Sequence, residues 1–152
     1  MRISVSSDMD EPAARLLVEE LRARGHEVRA HGALSPGADP RWAACSERAA
    51  REVAEGRADQ AVVCCWTGTG ASIAANKVPG VRAALCADAY TADGARRWND
   101  ANVLALSLRL TSGPLLREIL DAWFAGGPSE DAEDRDNVTH VKRLDEDRRA
   151  AR

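Results

Sequence analysis

The sequence predicts an α/β fold, a three-layer α/β/α domain built on a doubly wound, Rossmann-like parallel sheet of five strands. Five short apolar runs, each bounded by turn residues, have the length and composition of buried strands. Segments with helical composition separate these runs, so strands and helices alternate along the chain. Such alternation is typical of parallel sheets with right-handed crossovers, and no internal repeat interrupts it.

Composition narrows the class of protein. With 152 residues, 45% hydrophobic and 30% charged, the chain is expected to form one globular domain. The net charge of −3 argues against nucleic acid as a partner. No apolar run approaches the ~18 residues of a membrane span, and the first residues lead into a strand pattern without a signal-peptide core. Four cysteines without metal-ligand spacing indicate reduced thiols, as in the cytoplasm.

The predicted elements follow from these patterns. Strands are expected over residues 2–6, 26–30, 61–65, 83–86 and 103–107. Helices are expected from Pro12 to before Gly25, and then over 41–55, 71–77, 88–99, 114–124 and 137–149. His26 and His31 flank the second strand and are expected to face solvent. The acidic stretch 126–136, which contains glycine and proline, is predicted to be a mobile linker.

The stretch from Val62 to Lys77 is the first candidate site. An apolar strand ends at Cys65, and a Gly/Thr turn then leads into a helix. Ligands of open α/β sheets bind at such strand ends, and the free N–H groups of a helix start bind anions. A thiol beside that positive helix end is expected to form the reactive thiolate more readily. The alternative is that Cys65 is inert core, as Cys64 on the opposite strand face is expected to be.

Asp8 is the second candidate. It follows the first strand and precedes a helix with Pro12 in its first turn, so it is expected at the same sheet edge as Cys65. The alternative is that Asp8 or Asp10 only caps that helix.

Three motifs identify a family resemblance. They are Cys65-x-Thr-Gly-x-Gly-x-Ser-Ile-Ala-Ala-Asn-Lys77, Gly80-Val-Arg-Ala-Ala-Leu-Cys86 and Asn99-Asp-Ala-Asn-Val-Leu-Ala-Leu106. In these the chain resembles type B ribose-5-phosphate isomerases and the related galactose-6-phosphate isomerase subunits. The likeness extends from Arg2 to about Leu144.

The resemblance implies a sugar-phosphate aldose–ketose isomerase that uses neither metal nor cofactor. Cys65 matches the family's base, which takes the proton from C2. The loop from Trp66 to Gly70, with Thr67 and Thr69, matches the donors that stabilise the enediolate. The remaining matches are substrate ligands: Asp8 and Asn99 for the open-chain sugar, and Arg109 and Arg143 for the phosphate.

The family's assembly adds an expectation about partners. Its members are dimers whose C-terminal arginines enter the neighbouring site. The resemblance therefore implies a homodimer or dimer of dimers with the site at the interface. The helix over 137–149, which carries His140 and Arg143, is expected to pack on that partner subunit.

Four positions depart from the family pattern. Met9 and Trp98 replace two histidines, Thr139 replaces an arginine, and Trp66 replaces the glycine after the cysteine. The tryptophans are expected either to line the pocket with aromatic faces or simply to pack. His140 is the candidate to replace the missing imidazole.

Three hypotheses about function remain open from the sequence. In the first, the chain is a diverged isomerase whose substrate is already open-chain, such as a tetrose phosphate, or larger and less charged. In the second, it is a non-catalytic sugar-phosphate-binding subunit or sensor. In the third, it is a flavodoxin-like nucleotide binder, for which the sequence has no fingerprint.

Overall fold

Five parallel strands form a single sheet in the order β2-β1-β3-β5-β4. The computed structural model of the protein describes residues 1–150. The strands are β1 (Arg2–Ser7), β2 (Glu27–Gly32), β3 (Gln60–Cys65), β4 (Ala83–Leu85) and β5 (Val103–Ser107). The helices are α1 (Pro12–Ala23), α2 (Trp42–Ala54), α3 (Thr69–Ala75), α4 (Ala89–Asn99), α5 (Gly113–Ala125) and α6 (Ala132–Ala150). This confirms the predicted α/β fold with a five-stranded parallel sheet.

Two apolar clusters hold the three layers together. On one face of the sheet, α1, α4 and α5 pack on the side chains of Ile3, Val5, Val62, Leu104 and Leu106. On the other face, α2 and α3 contribute small alanines that pack on Val63, Val103 and Ala105. Small side chains let these two helices approach the sheet closely, which brings the start of α3 down onto the end of β3.

Helix α6 begins earlier than the sequence indicated. The expected linker was 126–136, but the helix begins at Ala132, which leaves 126–131 as the connection. Asp131 accepts a hydrogen bond from the N–H of Glu133 at 2.9 Å, and Glu133 and Asp134 lie in the first turn. Carboxylates stabilise the positive start of a helix, so the acidic composition favours a helix start here.

One expectation about the histidines is wrong. His31 is 6% exposed, and its Nε2 lies 3.1 Å from Oε2 of Glu52, which is itself buried. The imidazole thus packs between β2 and α2 and does not face solvent.

Candidate active site

Asp8 and Cys65 lie side by side at the carboxyl edge of the sheet. The last pair in the β1–β3 register is Ser7 with Cys64, and Asp8 and Cys65 each follow one residue later, so they are neighbours at this edge. Cys65 is on the face of the sheet that α2 and α3 cover, because it packs with Ala71 and Ala75 of α3. By the alternation of side chains along a strand, Asp8 belongs to the same face. Helix α1 leaves β1 toward the opposite face, which makes this position the topological switch point, where α/β proteins bind ligands.

The turn after Cys65 contains a set of unpaired N–H groups. Gly68 adopts a left-handed φ of +76° and is the N-cap of α3. Within residues 1–150, the N–H groups of Thr67, Thr69, Gly70 and Ala71 donate no hydrogen bond. We call these four groups the N–H cradle. Free donors at a helix start favour an anion or a developing oxyanion.

Two threonines frame the N–H cradle. The hydroxyls of Thr67 and Thr69 lie 2.8 Å apart and are hydrogen-bonded to each other, and both residues are exposed. The Cys65 side chain beneath them is only 5% exposed. The Cys65 sulfur is therefore at the base of the loop, and the two threonine hydroxyls lie at its rim.

The carboxyl group of Asp8 is under-satisfied. Among the described residues, its Oδ1 is buried without a hydrogen-bond partner. Burial raises the pKa of this carboxyl above its usual value. The capping alternative is wrong, because Glu11 is the N-cap of α1 and Asp10 instead pairs with Arg15. Asp8 thus keeps a free acceptor beside Cys65.

Met9, Trp66 and Arg109 complete the group at this edge. Met9 and Trp66 are 38% and 48% exposed, and Arg109 is also exposed. The N–H of Arg109 donates to the carbonyl of Trp66 at 3.1 Å, which fixes the start of the β5 loop beside the cysteine loop. The Arg109 guanidinium makes no ion pair in the part of the chain that the structure describes.

The other four predicted site residues lie elsewhere. Trp98 and Asn99 are the last residues of α4, at the amino edge of the sheet. Three residues later, the carbonyl of Asn102 accepts a hydrogen bond from the N–H of Ala61, near the start of β3. Cys65 lies four residue steps along β3 from Ala61, a distance of about 13 Å. His140 and Arg143 are on α6, which packs on α4. Within one chain, Asn99, His140 and Arg143 therefore do not join Asp8 and Cys65.

Trp98 and His140 share a cleft of their own. Its volume is about 670 Å³, and it lies between α4, α6 and β4. Tyr90 makes an edge-on contact with Trp98 at 6.0 Å between ring centroids. The two tryptophans expected to line one pocket are thus at opposite edges of the sheet, since Trp66 belongs to the group at Cys65.

The remaining cysteines are core residues. All four cysteines are buried free thiols. Burial raises the pKa of the Cys45 and Cys64 thiols. It also raises the pKa of the Cys86 thiol, to about 12. Within residues 1–150, no three His, Cys, Asp or Glu side chains are grouped as a metal site requires. No described helix is both long and apolar enough to cross a membrane.

One residue near the site carries no signal in the sequence. Trp42 is the first residue of α2, and its ring lies against Gly70 in the N–H cradle. An aromatic residue at a helix start has no distinctive pattern, and only the packing of α2 on α3 brings the two together.

Comparisons with known proteins agree with this geometry. The family model for Ribose/Galactose Isomerase matches residues 3–146. A D-erythrulose-4-phosphate isomerase from Pectobacterium atrosepticum is 34% identical over 134 residues, which cover 84% of this chain and 88% of the relative. Ribose-5-phosphate isomerase B from Escherichia coli is 40% identical over 110 residues, 71% of this chain and 72% of that protein.

A solved structure extends the likeness to almost the whole chain. Ribose-5-phosphate isomerase B from Clostridium thermocellum superposes with a TM-score of 0.87 at 32% identity. The superposition covers 97% of this chain and 99% of that one. The match of fold, sequence and motif positions leads to one conclusion: this chain belongs to the ribose/galactose isomerase family of sugar-phosphate isomerases.

Proposed function

We propose that this chain interconverts an aldose phosphate and a ketose phosphate through a cis-enediolate, with Cys65 as the base. The observation that carries the proposal is the position of Asp8 and Cys65, each one residue beyond the Ser7–Cys64 pair, next to four unpaired N–H groups at the switch point. A base and oxyanion donors then converge on one reacting carbon, as this reaction requires.

The proposed step balances without a cofactor. The Cys65 thiolate takes the proton from C2, the electron pair of the C–H bond forms the C1=C2 bond, and the negative charge moves to the carbonyl oxygen O1. The N–H cradle and Thr67 stabilise that oxygen. The Cys65 thiol then returns its proton to C1, while the O2 proton moves to O1 and O2 becomes the ketone oxygen.

Asp8 binds substrate hydroxyls in this scheme. Its buried, unpartnered oxygen is an acceptor that a sugar hydroxyl would satisfy. Arg109 lies at the same edge and provides a guanidinium for the anionic end. Met9 and Trp66 add exposed apolar surface to the wall of the site.

The site is proposed to be completed by a second copy of the chain. Asn99, Trp98, His140 and Arg143 are too far from Cys65 in their own chain, so the roles expected of them require a partner. Apolar side chains are exposed along the β4 edge, where Ile73 is 59% and Leu85 40% exposed. Leu85 also borders Gly68, so a copy docked on this edge would lie beside the N–H cradle.

A four-carbon sugar phosphate is the substrate class that we favour. Trp98 stands where the resemblance places the histidine that helps to open a sugar ring, so a substrate that needs no ring opening suits this chain best. A tetrose 4-phosphate has no free hydroxyl to close a furanose ring, so it needs no such step. The name of the Pectobacterium relative, a D-erythrulose-4-phosphate isomerase, supports a four-carbon substrate. We also propose a cytoplasmic location, which the four free thiols fit.

The test is turnover on four-, five- and six-carbon aldose phosphates in D2O, with Cys65→Ala beside the unchanged protein. We expect turnover with solvent deuterium incorporated into the product, and a loss of at least about 1,000-fold in Cys65→Ala. Cys64→Ala is the matched control, because its thiol faces the opposite core. Retained turnover in Cys65→Ala would overturn the assigned base. No turnover, with sugar phosphates still raising the melting temperature, would favour the non-catalytic binding subunit.

A further inference from the structure

The ring of Trp42 lies directly on Gly70 of the N–H cradle. A Cβ built at Gly70 would lie 3.0 Å from Cε3, 3.1 Å from Cδ2 and 3.3 Å from Cζ3 of the indole. These distances are shorter than ordinary van der Waals contact, so a Cβ at residue 70 would push the ring away by a few tenths of an ångström. The six-membered part of the indole therefore occupies the space that a side chain at Gly70 would take.

Backbone conformation does not explain the glycine at this position. Gly68 has a left-handed φ, but Gly70 is an ordinary helical residue in the first turn of α3. Alanine would fit the helix there and would keep the N–H group. The indole of Trp42 is the neighbour that a side chain at residue 70 would meet.

Trp42 is nevertheless not a core residue. Its side chain is 46% exposed. A large apolar area of the indole is therefore in contact with water, which solvates it poorly. Gly70 contacts one side of the ring. The backbone of Trp42 is held in α2, where the Trp42 carbonyl accepts a weak hydrogen bond from the Cys45 thiol at 3.7 Å. One part of a fixed aromatic ring thus stays open beside unpaired donors.

We propose that Trp42 is a specificity-determining residue, and that the carbon chain of the sugar packs on its ring. This inference rests on the proposed function, because it places the enediolate oxygen in the N–H cradle. A sugar bound in the N–H cradle would present its C–H surface to the indole. Because the ring is fixed in place, it would accommodate one carbon-chain length better than others.

The first test compares chain lengths in Trp42→Ala and Trp42→Phe. We expect Trp42→Ala to lower kcat/KM on the preferred sugar phosphate by about tenfold. Its ratio of kcat/KM between four-carbon and longer substrates should move at least about fivefold toward the longer ones. Trp42→Phe retains an aromatic wall and should keep this ratio within about twofold. Equal losses of kcat/KM on all chain lengths in Trp42→Ala would overturn the proposal.

A second test uses the contact with Gly70. Gly70→Ala should displace the indole and shift the chain-length ratio in the same direction as Trp42→Ala. In the double variant, where the ring is gone, the added methyl group should cause no further change in the ratio. If the changes in the ratio caused by the two single substitutions multiply in the double variant, Gly70 acts independently of Trp42. That result would overturn the contact between the two residues as the cause of the changed ratio. Urea unfolding of the same variants separates a change in specificity from a loss of folded protein.

Binding measurements distinguish this proposal from the proposed function. If the unchanged protein turns over no aldose phosphate, the isomerase assignment fails, and the rise in melting temperature with each sugar phosphate becomes the readout. Trp42→Ala should then change the order in which four-, five- and six-carbon phosphates stabilise the protein. An unchanged order would contradict the role of Trp42 whether or not the protein is an isomerase.

Discussion

The carboxamide of Asn76 pairs with the backbone of Ala83 as a neighbouring strand would. Its Oδ1 accepts from the Ala83 N–H at 2.9 Å, and its Nδ2 donates to the Ala83 carbonyl at 2.8 Å. Ala83 begins β4, an edge strand of three residues that pairs only with β5. The asparagine just after α3 thus joins the helix that carries the N–H cradle to the edge of the sheet.

This pairing predicts a cost in stability for Asn76→Ala. Two backbone groups of Ala83 lose their partners, so the free energy of unfolding should fall by about 1–3 kcal/mol. Urea unfolding measures this change, and Asn137→Ala is the matched control, because among the described residues that side chain bonds only to the Glu133 carbonyl of its own helix. A drop no larger than that of Asn137→Ala would mean that water replaces the carboxamide without loss.

Gly68→Ala is predicted to be more disruptive than an ordinary glycine replacement. A Cβ at Gly68 would lie 2.6 Å from Cδ1 of Leu85 and 2.8 Å from the backbone carbonyl carbon of Leu106, in a residue whose φ is +76°. Gly56→Ala is the control, since Gly56 has φ +71° with no atom within 4 Å. We expect about 1 kcal/mol for Gly56→Ala from the left-handed backbone alone. Gly68→Ala should cost at least about 2 kcal/mol, from the backbone and the collision together. Equal costs would show that the loop shifts without strain.

Most of the fold was predictable because each apolar run is short and ends at a turn residue. The five strands were found within about two residues of their observed ends, and Cys64 and Cys65 do face opposite layers. The order β2-β1-β3-β5-β4 was not predicted, because strand order depends on which helices share a face of the sheet. The early start of α6 was missed because acidic residues were interpreted as a linker, although Asp131 is a capping residue.

The site was predictable in part for a similar reason. Strand ends of a parallel sheet meet at one edge, which brings Asp8, Cys65 and Arg109 together. Asn99 ends a helix that runs back along the sheet, so it lies at the other edge. Trp42 and the buried pair of His31 and Glu52 depend on packing between elements distant in sequence, which periodicity does not encode.

Asp8→Asn is predicted to stabilise the fold while lowering turnover. Because burial raises the pKa of the Asp8 carboxyl, its charged form is disfavoured in the folded protein. The pKa of this carboxyl is 3.8 in the unfolded chain and higher in the folded protein. The contribution of Asp8 to stability therefore falls as the pH rises through the range between these two pKa values, and it stays low at higher pH. Unfolding at pH 7 should thus require more urea in Asp8→Asn than in the unchanged protein. At pH 3 the difference should shrink, and a difference that does not depend on pH would contradict a carboxylate strained by burial.

A mixing experiment should show whether one site uses residues from two chains. If the proposed dimer forms, Cys65→Ala and Asn99→Ala are each expected to be inactive or nearly so when every subunit carries the same change. Refolded together in equal amounts, they should form mixed dimers in half of the cases, each with one intact and one doubly changed site. About one quarter of the unchanged activity should then return.

The pair Cys65→Ala and Asp8→Ala provides the control for this experiment. Both residues lie at the same sheet edge of one chain, so their mixed dimers contain no intact site and should regain nothing. Different affinity tags on the two chains verify that mixed dimers have formed. If such dimers form with Cys65→Ala and Asn99→Ala but remain inactive, Asn99 does not act in the partner's site. Its position at the amino edge of the sheet would then exclude it from the chemistry at Cys65 in its own chain as well, because about 13 Å separates the two ends of the strand.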